Sequence, residues 1–136
     1  MHPMKSLIGV LGVLAALTVL VLVAGLVMYG FSGSGTKYDI EVALEWARLE
    51  PLPAGATIES VQVTSNPATR EFVIVFTAPI ADIEAWLAAS AGTKDLTPAT
   101  TGNTEHYQIE PDGEAQVAEV KFNRVTRRVT IRTYWI

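Results

Sequence analysis

The alternation of apolar and polar positions divides the chain into two parts of different character. Leu7 to Tyr29 is almost continuously apolar, carries no charge, and has Thr18 as its one clearly polar side chain before the tyrosine. About 23 residues at about 1.5 Å rise reach about 34 Å, enough to cross a hydrocarbon core of about 30 Å. Tyr29 and Phe31 suit the far interface, where aromatic rings settle. The run is longer than the apolar core of a cleaved signal peptide. Leu26 stands where a lipidated leader requires cysteine. The pattern therefore predicts an uncleaved transmembrane helix over 7–29 after a short tail, 1–6.

Beyond the run, 30–37 contains Ser32, Gly33, Ser34, Gly35 and Thr36 and reads as a flexible tether, because glycine and serine favour no single backbone conformation. It lacks the lysine of a phosphate-cradling loop. A soluble domain over 38–136 follows. Asp39 is a candidate N-cap for a helix with Ile40, Ala43, Leu44 and Ala47 on one face, ended by Pro51 and Pro53. Thr57–Thr64 and Glu71–Thr77 are rich in β-branched and aromatic residues, separated by the turn sequence Ser65-Asn66-Pro67-Ala68. The second of these strands is apolar on both faces, as expected of a strand covered on both sides.

Pro79 suits the start of a second helix in which Ile83, Trp86 and Leu87 form an apolar stripe ahead of Gly92. Thr93–Thr104 has no periodicity and reads as an irregular surface loop with the most freedom to move. Period-2 alternation returns in Glu105–Glu110, Ala115–Phe122 and Arg128–Trp135. The expected domain is α+β, an antiparallel sheet of about five strands with two helices on one face, behind a single N-terminal transmembrane helix.

Leu52-Pro53-Ala54, the strand end Phe76-Thr77-Ala78-Pro79 and the helix Ala81–Leu87 together resemble a layout of small exported or membrane-anchored proteins of high-GC bacteria. The resemblance covers about a third of the chain. It implies an extracytoplasmic domain and no particular activity or functional residue.

Charge adds a second asymmetry. Tyr38–Glu119 holds fourteen acids and three bases, whereas Val120 to the end holds five bases, Lys121, Arg124, Arg127, Arg128 and Arg132, and no acid, within a net charge of −4. An acidic body argues against a nucleic-acid binder, which is basic over its whole domain. The basic end is the candidate contact surface for anionic headgroups or an acidic partner protein. Its bland alternative is a solvated sheet face whose bases pair with Glu119 and neighbouring acids. In the apolar run, Gly9, Gly12 and Ala16 share a helix face and are candidate contacts for self-association in the membrane.

Candidate chemistry is sparse. With no cysteine there is no thiol nucleophile, disulfide or cysteine metal site. His106 with Glu110 falls short of the three or four ligands zinc requires, and Glu110, Asp112 and Glu114 lack the spacing of a calcium loop. No serine sits in a nucleophile elbow. No catalytic, metal or cofactor site is expected. The composite expectation is a non-enzymatic interaction module or accessory subunit, single-pass in the cell membrane. Its amino terminus is inside, its domain outside, and its partner is a protein. A small-ligand or lipid-sensing domain with a pocket bounded by Trp46, Trp86 and Trp135 is the alternative, ahead of a hydrolase or metal enzyme.

Overall fold

The computed structural model describes residues 34–136. The 7–29 run and its contact residues Gly9, Gly12 and Ala16 lie outside them. Among the described residues no helix is long and apolar enough to cross a membrane. Two helices, α1 (Ser34–Trp46) and α2 (Ile80–Ala89), accompany six strands: β1 (Thr57–Ser65), β2 (Arg70–Thr77), β3 (Ala99–Thr101), β4 (Thr104–Ile109), β5 (Val117–Asn123) and β6 (Arg128–Trp135). They form one sheet in the order β1-β2-β6-β5-β4-β3, antiparallel throughout. The fold is α+β with an antiparallel sheet and two helices, as the pattern predicts.

Three local readings change. α1 begins at Ser34, so Asp39 lies inside the helix rather than at its cap, and Ser34 to Lys37 at the end of the expected tether are helical. The helix stops before Pro51 and Pro53. Arg48 adopts the left-handed region at φ 53°, while Leu49 N–H donates to the Leu44 carbonyl and Arg48 N–H to the Glu45 carbonyl. This is a Schellman ending, with arginine where glycine is usual. The Arg48 Nε bond to the Glu110 carbonyl, 2.9 Å, ties down that unusual residue. Third, Ala99–Thr101 leaves the expected loop to pair with β4 as a sixth, very short strand.

One face of the sheet carries the core. Phe72, Ile74 and Phe76 of β2 stand opposite Thr133, Ile131 and Val129 of β6, which in turn face Ala118, Val120 and Phe122 of β5. All nine are buried. The helices cover this face: Trp46 of α1 meets Phe72 edge-on at 5.4 Å between centroids, and Trp86 of α2 meets Phe76 in the same geometry at 5.4 Å. The Trp86 indole N–H donates to the Glu50 carbonyl, and Ser90 Oγ accepts from Glu50 N–H while donating to the Trp86 carbonyl. The chain leaving α1 is thereby fastened to the end of α2. On its other face β2 shows Val73 and Val75, which are half-buried beside Arg132 and Thr130 of β6. The apolar character of β2 on that side is met by neighbouring side chains, with no helix over it among the described residues.

Gly92 marks a close approach. Its N–H donates to the Arg48 carbonyl at 2.8 Å. A Cβ there would overlap the Ala47 carbonyl oxygen and come within 3.0 Å of Ile109 Cγ2. Thr133 shows the opposite condition, a fully buried side chain whose hydroxyl meets no hydrogen-bond partner. Burying an unsatisfied hydroxyl costs about 1–3 kcal/mol. Thr133→Val, which keeps the shape and removes the hydroxyl, is expected to raise stability by about 1 kcal/mol, or about 4–8 °C in Tm. Gly92→Ala is expected to lower stability by about 2 kcal/mol or more, because backbone rather than a flexible side chain blocks the methyl group. Thermal and denaturant unfolding of both variants checks the pair of opposite signs.

Candidate functional site

The sheet face opposite the helices is built from the alternate residues of the same strands. β6 contributes Arg128, Thr130, Arg132 and Tyr134; β5 contributes Val117, Glu119, Lys121 and Asn123; β4 contributes Thr104, His106 and Gln108; and β2 contributes Glu71, Val73, Val75 and Thr77. Period-2 alternation makes this assignment automatic once the core face is known. The β-bulge between Ile58 and Ser60 in β1 inserts Glu59 as an extra residue and brings its carboxylate to the same face.

Arg132 is the centre of a line of polar contacts across four strands. Its guanidinium lies 2.8 Å from Glu71 Oε2 on β2 and 3.7 Å from Glu119 Oε1 on β5. It also lies over the Tyr134 ring, 4.6 Å from the centroid. Glu119 Oε2 accepts from His106 Nε2 at 2.9 Å and from Gln108 Nε2 at 3.3 Å. The hydrogen bond to Glu71 is the largest contribution holding the Arg132 pKa above its ordinary value.

The five basic residues of the chain's end are not one uniform strip. Arg128 makes a two-pronged contact with Glu59, with Nε at 2.8 Å and Nη2 at 3.3 Å, and that hydrogen bonding raises its pKa. Arg124 turns to the helical side and joins Glu105 of β4 to Glu84 of α2, each at 3.1 Å. Its pKa is raised chiefly by the Glu105 bond, then by Glu84. Arg127 occupies the β5–β6 turn with φ 56°. Among the described residues, Arg127 and Lys121 have no carboxylate within ion-pair distance. Lys121 lines an open-face recess of about 220 Å³ with Thr104, Asn123, Thr126, Arg128 and Thr130. The fold therefore brings Lys121, Arg128 and Arg132 to one face and sends Arg124 away from it.

His106 finds Glu119 rather than Glu110, and among the described residues no three histidine or carboxylate side chains converge on a metal-sized site. Trp86 walls a groove of about 470 Å³ with Pro51, Pro53 and Ala54, a lining that includes neither Trp46 nor Trp135. The partners Glu59 and Glu71 lie more than sixty residues from the arginines they meet. Only the alternation of β2 and β6 hinted at the second, and nothing in the local pattern marked the bulge that delivers the first.

A further recess of about 220 Å³, on the helical side, lies between Tyr107, Arg124, Glu84, Lys94 and Leu96. Burial of Tyr107, reinforced by the charge of Glu105, raises its phenol pKa above 10.0. The folded chain therefore holds the proton where the unfolded chain has begun to lose it. The stability linked to this group is fully present below pH 10.0 and is lost as pH rises through the folded-state value. Tyr107→Phe is expected to make the alkaline fall in Tm shallower than in the parent chain while leaving the neutral-to-acid limb parallel, measured by unfolding at a series of pH values. The chain matches no family model, no curated protein and no solved structure, so its own geometry carries the functional reading.

Proposed function

We propose that the protein is a membrane-anchored, extracytoplasmic and non-catalytic interaction module, an accessory subunit that offers its uncovered sheet face to a partner protein. The observation that carries this reading is the recess around Lys121. It collects a lysine without a carboxylate partner among the described residues, the Arg128 guanidinium and three threonine hydroxyls on the face that neither described helix covers. A cation beside several hydroxyl donors fits an acidic side chain. The uncharged run Leu7–Tyr29 supports the anchor, since a run of that length and polarity is what a bilayer core requires. The chain's acidic body disfavours a bare anionic membrane as the principal contact for this face.

A small-ligand or lipid-sensing domain is the second reading, and the groove beside Trp86 favours it. It ranks lower because the Trp86 ring is seated on Phe76 and its N–H is used by the Glu50 carbonyl, which makes the residue a wall.

The test is photocrosslinking of the full chain in the membranes of its native cells. A photoreactive residue at Thr130 is expected to capture a discrete protein, one at Asp95 is not, and Lys121→Glu is expected to reduce the Thr130 product by about tenfold, the effect of losing about 1.4 kcal/mol at an ion-pair contact. Recovery of the chain in the soluble fraction, or equal labelling from both positions, would end this reading.

A further inference from the structure

The two edges of the sheet differ in the way that governs association. The β3 edge is three residues long, and a short edge offers little to a docking strand. The β1 edge is nine residues long and pairs only with β2 among the described strands, leaving a row of backbone N–H and C=O groups on its outer side. Edge strands are normally protected by lysine, proline or a bulge along their length. Here the bulge is confined to Ile58–Ser60, and the stretch from Ser60 to Ser65, Ser-Val-Gln-Val-Thr-Ser, has neither charge nor proline. The charge nearest to it, Glu59, is already occupied by Arg128.

We propose that β1 is a homodimerisation edge, pairing antiparallel with β1 of a second copy about a two-fold axis at Gln62. The sequence of the edge selects both the occupant and the register. With Gln62 opposite Gln62, Val61 of each copy faces Val63 of the other, Ser60 faces Thr64, and Glu59 faces Ser65. Both valines of the stretch beyond the bulge then meet a valine, the axis carries an amide pair, and no like charges are opposed. Val61 and Val63 stand beside Ile74 and Phe72 on the core face of β2. Val63 is 40% exposed in the single chain. The pairing would extend the core across the axis and cover that valine, while joining the two sheets into one with both helical layers on the same side. Shifting the register by two residues sets Val63 against Glu59 in one direction and Val61 against Ser65 in the other, which breaks the match. An isologous contact of this kind closes on itself and does not propagate into fibres. It is independent of what the opposite face of the sheet contacts.

The absence of cysteine makes the register directly readable. In the full-length chain in membranes, Gln62→Cys is expected to form a disulfide-linked dimer under mild oxidation about tenfold more efficiently than Thr101→Cys on the β3 edge, because facing residues of paired strands fall within disulfide reach. Thr64→Cys alone is expected to stay monomeric on oxidation but to crosslink when mixed with Ser60→Cys. Gln62→Lys places two cations at the axis and is expected to abolish the dimer, which an equal mixture with Gln62→Glu restores. That rescue separates a lost contact from a lost fold, since Gln62 is exposed in the single chain. Equal crosslinking at positions 62 and 101, a dimer that survives Gln62→Lys, failure of the lysine and glutamate chains to rescue each other, or capture of a different protein at position 62 would each overturn the proposal.

Discussion

Two phenylalanines four residues apart on β2 determine where everything else in the domain must go. Phe72 receives Trp46 and Phe76 receives Trp86, and because side chains four apart on a strand share a face, both helices are drawn to the same side of the sheet. The bond from the Trp86 indole to the Glu50 carbonyl then links the two helices through the chain that follows α1. With both tryptophans committed to one side, neither described helix covers the other. The uncovered face follows from this seating, and the polar contacts spread over it are what its strands can supply from their alternate positions.

That constraint explains why β2 can be apolar on both faces yet lie under helices on one only. Val73 and Val75 are flanked by Arg132 and Thr130 from β6 and by Gln62 and Ser60 from β1. Arginine covers apolar surface with its methylene stem while its guanidinium reaches a carboxylate, and Arg132 does so toward Glu71 and Glu119. Exposed ion pairs of this type add little stability individually. Their larger effect here is geometric, since they tie Arg132 of β6 to Glu71 of β2 and Glu119 of β5 across three neighbouring strands.

The elements with strong periodicity are legible in the sequence. β2, β5 and β6, the apolar stripe of α2 and the turn at Asn66 all follow from alternation, spacing and turn chemistry; in that turn Asn66 Oδ1 accepts from the N–H groups of Ala68 and Thr69. The start of α1 was not legible, because Asp39 looks like a cap in isolation and glycine and serine ahead of it argue for a tether. Its end carries no signal ahead of Pro51 and Pro53, because arginine at a left-handed position has no sequence signature. β3 carries no sequence signal, because Ala99, Thr100 and Thr101 have no apolar alternation. The site was legible in half. The side of the sheet that Lys121, Arg128 and Arg132 share is a consequence of period 2, whereas the acids that neutralise two of them come from distant strands and a bulge.

The charge asymmetry along the chain finds its physical meaning in the strand order. The basic end of the sequence includes β6, and β6 is inserted between β2 and β5 in the middle of the sheet. Glu59 and Glu71 approach it from the side of β1 and β2, and Glu119 approaches from β5. An acidic body and a basic tail that look like separate patches in sequence are thus interleaved in space, which disfavours any strand order that would set Glu71 of β2 directly against Glu119. The same placement puts Val129 and Ile131 at the centre of the core, so the last strand of the chain completes the hydrophobic face and the electrostatic one together. Among the described residues Lys121 and Arg127 are the cations of this end with no carboxylate in ion-pair distance, and Lys121 lines the recess beside Arg128 and Thr130, outside the interleaved pairs that tie the strands together.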